Sequence, residues 1–204
     1  MITTMYSEPN SVGAQNSDMT QIRFFALLLF FISHSVISAS SIGIWHSSAN
    51  PDWKPFDTGT GWAATLDYDV TENLFARVNY YDTSFRASGP EVGRREVNNW
   101  SEYGLGYSLG AIFDGLYVYA SYTDVSTING ALDGPGIHLG YRYKFAEDWS
   151  GFIQVGQIDT GFFDVQLEVQ LQYQITEDLN LAVGLRDHHD WDMTNYHVGL
   201  SWDF

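Results

Sequence analysis

Period-two alternation, repeated over runs of about ten residues and broken by turn residues, constrains this chain more than anything else in it. Side chains on an extended strand alternate faces, so residues two apart share a face. Trp62, Ala64, Leu66, Tyr68 and Val70 make one apolar face, and Leu74, Ala76, Val78 and Tyr80 make the next across a Thr71–Asn73 turn. Tyr103, Leu105, Tyr107 and Leu109 follow, and a Gly110–Asp114 turn leads to Leu116, Val118, Ala120 and Tyr122. Ile137 to Phe145, Trp149 to Val155, Val165 to Ile175 and Leu179 to Leu185 repeat the pattern around Ala146–Asp148 and Thr176–Asp178 turns. The run Tyr196, Val198, Leu200, Trp202, Phe204 closes the chain. Nine runs are clear, and Ser41–Ser47 reads as a weaker opening strand. Segments of this length and period suit tilted membrane strands, which come in even numbers in single-chain bacterial barrels. The expectation is an all-β fold: a closed antiparallel up-and-down transmembrane β-barrel of ten strands, with eight as the alternative.

Alternation alone does not separate a lipid-facing barrel from a soluble one with an apolar lumen, but the placement of residue types does. Aromatics on the apolar face gather near the short turns (Tyr68, Tyr107, Tyr143, Phe145, Trp149, Tyr173, Trp202) and near the longer loops (Trp62, Tyr80, Tyr103, Tyr122, Tyr196). Aliphatic residues such as Leu105, Val118, Leu139 and Val169 lie between them. Amphipathic rings settle at the headgroup level of a bilayer, so two girdles around an aliphatic waist predict lipid contact. The opposite face holds Gly104, Gly106, Gly140, Gly156, Gly184 and Gly199. Glycine in a strand interior marks a place where room is short, as it is inside a narrow barrel. Connections alternate between short turns and longer loops, Asp82–Asn98, Asp124–Gly134 and Asp187–Met193; a short Asp159–Phe163 connection departs from that habit.

Upstream of the strands the text changes character. Residues 19–39 run from a basic start at Arg23 through the apolar Phe24–Ile32 to a small-residue exit at Ala39, the layout of a secretory signal peptide. Nine strongly apolar residues are too few for a spanning helix, which needs roughly 20. Residues 1–18 read as a non-structural extension, which leaves 40–204 as the barrel domain. A mean hydropathy of −0.17 does not oppose this, because only alternate strand residues face lipid. The net charge of −16, with only 9 Lys+Arg, argues against nucleic-acid binding. The absence of cysteine excludes disulfides and thiol chemistry.

An apolar strand ending on an aromatic carboxyl-terminal residue, here Tyr196, Val198, Leu200, Trp202 and Phe204, resembles the terminal assembly signal of bacterial outer-membrane β-barrels. More loosely, over Ser41–Phe204, the chain resembles small outer-membrane barrels of the opacity/adhesin-like kind. The resemblance implies export, capture of the last strand by the barrel-assembly machinery, and a place in the bacterial outer membrane among lipid and lipopolysaccharide, as a monomer. It also implies a structural or interaction role through extracellular loops; a narrow transport channel is the alternative, and a lipid-modifying enzyme comes third.

Placed inward, the polar face supplies Arg77, Arg142, Lys144 and Arg186 against Asp67, Asp69, Glu102, Asp164 and Glu168, with Gln154, Gln166, Gln170, Gln172 and Gln174 between them. Buried charge is costly unless paired, so Arg77, Glu102, Arg142, Lys144, Glu168 and Arg186 are expected to form a polar network that fills the lumen. The stretch Asp187–Asp192, with His188 and His189, is the one suggestive metal-ligand cluster. Adjacent histidines in an extended loop diverge, so it reads as a solvated surface loop. His138, His197, Ser121 and Ser201 are the inward candidates for nucleophilic chemistry. His197 and Ser201 lie too far apart along one strand to meet, at about 3.3 Å per residue. No phosphate-binding motif is present, since Gly104 and Gly106 lie in a strand with no helix after them. No catalysis, cofactor or metal is expected.

Overall fold

The computed structural model describes residues 40–51, 57–86, 95–110, 113–127, 130–161 and 163–204. The predicted extension (1–18) and signal peptide (19–39) lie outside the described residues. Strands β1 (Ser41–Pro51), β2 (Gly59–Asp69), β3 (Leu74–Arg86), β4 (Arg95–Ser108) and β5 (Leu116–Thr127) form the first half of a single sheet. Strands β6 (Gly130–Lys144), β7 (Trp149–Asp159), β8 (Phe163–Gln174), β9 (Leu179–His188) and β10 (Met193–Asp203) form the second. Every strand pairs antiparallel with its sequence neighbours, and β1 pairs with β10 to close a ten-stranded barrel. The opening strand, weakest in the sequence, is therefore essential: Ser41↔Asp203 through Pro51↔Met193 form the seam. Just beyond it, the Ser40 and Phe204 backbones bond to each other in both directions, at 3.2 and 2.8 Å.

We call the end that holds Ser40 and Phe204 proximal and the opposite end distal. The proximal connections include the tight turns Val70–Asn73 and Ile175–Asp178, in which Thr71 and Thr176 hydroxyls accept the backbone N–H groups of Leu74 and Leu179. Between β4 and β5, Gly115 has φ +83°, and a Cβ there would strike the Arg142 carbonyl. At the distal end the structure corrects the sequence reading. Residues 82–98, 124–134 and 187–193 are not loops throughout, because strands run deep into each. β5 and β6 are joined through residues 128–129 alone, and β9 continues to His188. The predicted alternation of short and long connections is thus an alternation of tight turns and tall hairpins. Gly130–Pro135 of β6 continues past its last β7 pair, Gly136↔Ile158, as a two-stranded ribbon with β5.

Facing follows the sequence parity. Tyr196, Val198, Leu200, Trp202 and Phe204 all point outward and expose 45–53% of their surface. Outward residues of β4 to β9 are likewise exposed, among them Leu105, Val118, Ile137, Ile153 and Val183. On β2 and β3 the outward residues Leu66, Val78 and Tyr80 are shielded. The inward register of those strands is fixed by Asp67 and Arg77, whose hydrogen-bond partners Arg142 and Gln154 lie across the lumen, and by Asn79, which bonds to Glu102 on the adjacent strand.

The lumen glycines have a steric reason. Directly across the ladder from them stand large inward side chains: Phe75↔Gly106, Tyr117↔Gly140, His138↔Gly156, His197↔Gly184 and Trp45↔Gly199. A Cβ on any of these glycines would overlap the facing ring. Each ring lies over its glycine, so that side chains fill an interior of this strand number.

Candidate functional site

The lumen divides into a proximal polar cup and a distal plug. In the cup, Arg77 donates to Asp67 through Nε (2.6 Å) and Nη2 (2.9 Å), and Arg142 Nη2 reaches the same carboxylate at 2.8 Å. Both guanidinium groups lie against rings: Arg142 is 5.0 Å from the Phe75 centroid and 5.1 Å from that of Tyr117, and Arg77 is 5.6 Å from Tyr117 and Phe152. Such stacking is natural to a planar, weakly hydrated cation. Gln154 Oε1 accepts from Arg77 Nη1 (3.1 Å) and from the Tyr117 hydroxyl (3.0 Å). Beside these groups a cavity of about 620 Å³ reaches from Glu168 to the open proximal end, bounded by residues of both halves of the barrel. Lys144 lines its mouth, exposed and apart from the Arg77–Asp67–Arg142 cluster.

The remaining expected network residues meet deeper in the barrel. Arg186 donates to Glu168 Oε2 from Nε (3.1 Å) and Nη2 (2.7 Å), and its Nη1 lies 3.7 Å from Glu102. Its guanidinium sits 4.8 Å from the Tyr81 ring centroid. Glu102 also accepts from Asn79 Nδ2 at 3.1 Å. The structure therefore brings Arg77 with Arg142 and Arg186 with Glu102 and Glu168 into two separate clusters.

Toward the distal end large apolar side chains join the buried polar ones. Trp45, Ala63, Tyr81, Trp100, Val125, Ile158 and Ala182 form one buried cluster, and Ala49, Phe85 and Met193 a second, with Trp191 packed against both. Trp100 stands 5.6 Å edge-on from Trp191 and 4.4 Å from the His188 ring. The void left among Tyr81, Phe85, Trp100, His188 and Met193 is about 10 Å³, no more than a single water needs.

Within the Asp187–Asp192 stretch His189, Asp190 and Asp192 are exposed in a turn, as a surface loop requires, but His188 is not. His188 is buried in β9, with Nδ1 2.8 Å from Asp164 and 3.2 Å from Gln166 Nε2. Asp187 accepts the Thr194 hydroxyl at 2.7 Å, and Asp190 accepts the Val165 N–H at 3.2 Å. Asp192 takes a left-handed φ of 45°, which a short polar side chain tolerates in a tight turn. These donors and acceptors shape the turn. Among the described residues no group of three His, Asp or Glu is disposed to hold a metal ion.

One pairing escaped sequence reasoning. Ser121 Oγ lies 2.9 Å from His138 Nε2, and His138 Nδ1 lies 3.4 Å from Gln154 Nε2. Ser121 faces Gly136 across the ladder and meets His138 diagonally, and such contacts require the register to be known. All three side chains are buried and none lines the cavity. A nucleophile, a base and an orienting group are thus in reach of each other, but the third is an amide and the set is walled off.

The exterior decides the class. Tyr141, Tyr143, Phe145, Trp149 and Tyr173 form a continuous chain of ring contacts, 4.9 to 6.3 Å between centroids, around the proximal turns. Tyr103 and Tyr122 (5.8 Å) and Trp62 and Tyr80 (5.1 Å) pair toward the distal side. Two girdles, an exposed aliphatic waist and a closed sheet with no edge meet the demand of a bilayer that every backbone polar group be satisfied internally. The chain is a transmembrane β-barrel. No protein-family model matches the sequence, and no curated protein matches it. Among solved structures it is similar to a KdgM porin in complex with disordered oligogalacturonate, at 16% identity and a TM-score of 0.44, over 80% of this chain and 99% of that one. It is also similar to the outer membrane protein OprG of Pseudomonas aeruginosa (12%, TM-score 0.43, 81% and 95%). The Salmonella typhi outer membrane phospholipase with bound calcium is a third (12%, TM-score 0.41, 86% and 96%).

Proposed function

We propose that this barrel is a closed, non-catalytic scaffold of the opacity/adhesin-like kind, which presents its distal hairpins outside the cell. The tight-turn end would face the periplasm and the hairpin end the medium, as is usual for these barrels. The observation that carries the reading is the plug. Trp45, Tyr81, Trp100 and Ile158 pack together in the lumen, backed by Phe85 and Met193, and the void among Tyr81, Phe85, Trp100 and Met193 is about 10 Å³. Solutes do not pass a lumen filled in this way. The β3–β4 and β5–β6 hairpins, in contrast, run past their neighbours and hold Asp124, Asp133 and Leu132 on a rigid frame, the arrangement in which binding residues are commonly found. The scaffold would act as a monomer among lipid and lipopolysaccharide, delivered through the assembly machinery by its last strand.

Planar-bilayer recording tests this. The purified barrel should give no conductance steps in symmetric salt, and reproducible steps with ion selectivity would replace the scaffold by a channel. The second reading rests on the cavity of about 620 Å³, which takes an aqueous path from the proximal mouth inward to Glu168. On that reading, removing the Trp100 and Phe85 rings together should enlarge a conductance already present rather than create one.

A further inference from the structure

We propose that the proximal cup binds a small organic phosphate, a phosphomonoester held between Arg142 and Lys144, a role separate from display by the hairpins. The two side chains stand two residues apart on the inward face of β6, and both line the cavity of about 620 Å³, a volume in the range of small-molecule sites. Two residues along a strand cover about 6.6 Å. One phosphate group can bridge that span with charge-assisted bonds of about 2.8 Å at either end.

Both cations are available. Arg142 gives one N–H to the protein, from Nη2 to Asp67, and 41% of its side chain stays exposed. Its guanidinium is held in place by the Phe75 and Tyr117 rings, at 5.0 and 5.1 Å, so little order is lost when a ligand arrives. Lys144 is exposed, and among the described residues no acid pairs with its ammonium group. Most acids of the wall are already held. Asp67 is shared by Arg77 and Arg142, Glu168 is taken by Arg186, and Asp203 accepts the Asn180 amide at 2.9 Å. Asp114, exposed in the turn before β5, is the exception, and it opposes an anion from the rim. Glu72, Glu147, Asp148, Glu177 and Asp178 make the proximal turns acidic as well. Water and salt screen exposed charges beyond about 8 Å, so the ligand is held by contact with two cations and is not drawn in from a distance. A phosphomonoester, with about two negative charges near neutral pH, matches that pair of cations where a single carboxylate matches one. Its oxygens accept hydrogen bonds, and the wall beside the cations donates them. Ser150 and Gln172 continue the ladder from Lys144. Ser150 Oγ donates to Gln172 Oε1 at 3.3 Å, which leaves the Gln172 N–H groups for a ligand. Phe152, half-buried opposite Arg142, offers ring carbon to the organic part. A cationic ligand would instead be repelled by Arg142 and Lys144 at contact.

Calorimetric titration with glycerol 3-phosphate, of the barrel in phosphatidylcholine nanodiscs, tests the assignment. Binding should be saturable, and glycerol and choline should show none. Lys144→Gln should weaken it about tenfold, the worth of a charge-assisted hydrogen bond, while the barrel keeps the heat-modifiable gel mobility of the folded state. Asp114→Asn should tighten it about twofold by removing the opposing charge. No saturable binding, equal binding of glycerol or choline, undiminished binding by Lys144→Gln, or weaker binding by Asp114→Asn would overturn the proposal. A phosphomonoester is also the headgroup of phosphatidic acid, and adding that lipid to the nanodiscs separates the sources. Unchanged affinity places the ligand in solution, and a loss greater than phosphatidylglycerol causes places it on the lipid, both at the same phosphate site. Conductance is read separately, so a failed scaffold and a failed ligand site give different results.

Discussion

Removing the Arg186 guanidinium should be the most destabilising neutral truncation in the lumen, and the structure gives its size. Arg186 exposes 1% of its side chain, makes two hydrogen bonds to Glu168, approaches Glu102 at 3.7 Å, and lies over Tyr81. Arg186→Met keeps much of the volume but strands Glu102, which is fully buried, and Glu168, which only edges the proximal cavity. Breaking a buried pair by deleting one partner costs about 3–5 kcal/mol, and the second acid places this case toward the upper end. Glu102 retains only its bond from Asn79 Nδ2. Adding Glu168→Gln and Glu102→Gln to Arg186→Met removes the stranded charge, and this triple variant should regain most of the loss, because replacing a whole buried ionic group is often near neutral. Urea unfolding in lipid vesicles, followed by tryptophan fluorescence, measures both. A single variant within about 1 kcal/mol of the parent would mean that water reaches Glu102 as well, and the burial assigned to this cluster would then be wrong. A triple variant no better than the single would mean that packing, not charge, sets the cost.

The remaining predictions use the same assay or a simple variant of it. Val169→Arg, at the waist of the outer face, should cost roughly 2–4 kcal/mol, whereas Gln170→Arg, one residue on and turned into the cup, should be far milder; equal tolerance would contradict the facing. Gly156→Ala sets a methyl against the His138 ring, which Ser121 and Gln154 hold in place, and should cost about 1–3 kcal/mol by overpacking. The double variant Gly156→Ala/His138→Ala should relieve that clash, and an additive loss would refute the ring-over-glycine account. Deleting Phe204 removes the backbone bonds to Ser40 and the last aromatic residue, so surface levels in cells should fall more than refolding yield in detergent; unchanged surface levels would count against an assembly signal.

How far the sequence spoke follows from the range of each interaction. Facing is a local property with period two, so Tyr196 through Phe204 could be placed outside and Arg77, Glu102, Arg142, Glu168 and Arg186 inside without any knowledge of neighbours. The girdles followed from the same parity. Strand ends were misread for a physical reason. Beyond the hydrocarbon the outward face need not be apolar, so Asp124, Ser126 and Asp133 interrupt the pattern of hydrophobicity while the ladder itself continues through Thr127↔Gly130. A strand that leaves the membrane therefore reads as a loop. His188 was misplaced in the same way, since its burial depends on Asp164 and Trp100, 24 and 88 positions away in the chain. The Ser121–His138 contact and the two-cluster division of the charges lay beyond reach because both need the register, which only the closed sheet supplies.

The paired rings and glycines tie that register to closure. Each of Phe75, Tyr117, His138, His197 and Trp45 stands over a glycine on the adjacent strand. A slip of one residue would put every one of these rings on the lipid side and its glycine out of step. Such pairs therefore specify the ladder from within, at places where backbone hydrogen bonds alone would accept several alignments. The same packing brings Trp45 across to the Tyr81–Trp100–Ile158 layer and so builds the plug. Register, closure and the blocked distal lumen thus have one origin in the alternation of very large and absent side chains across neighbouring strands.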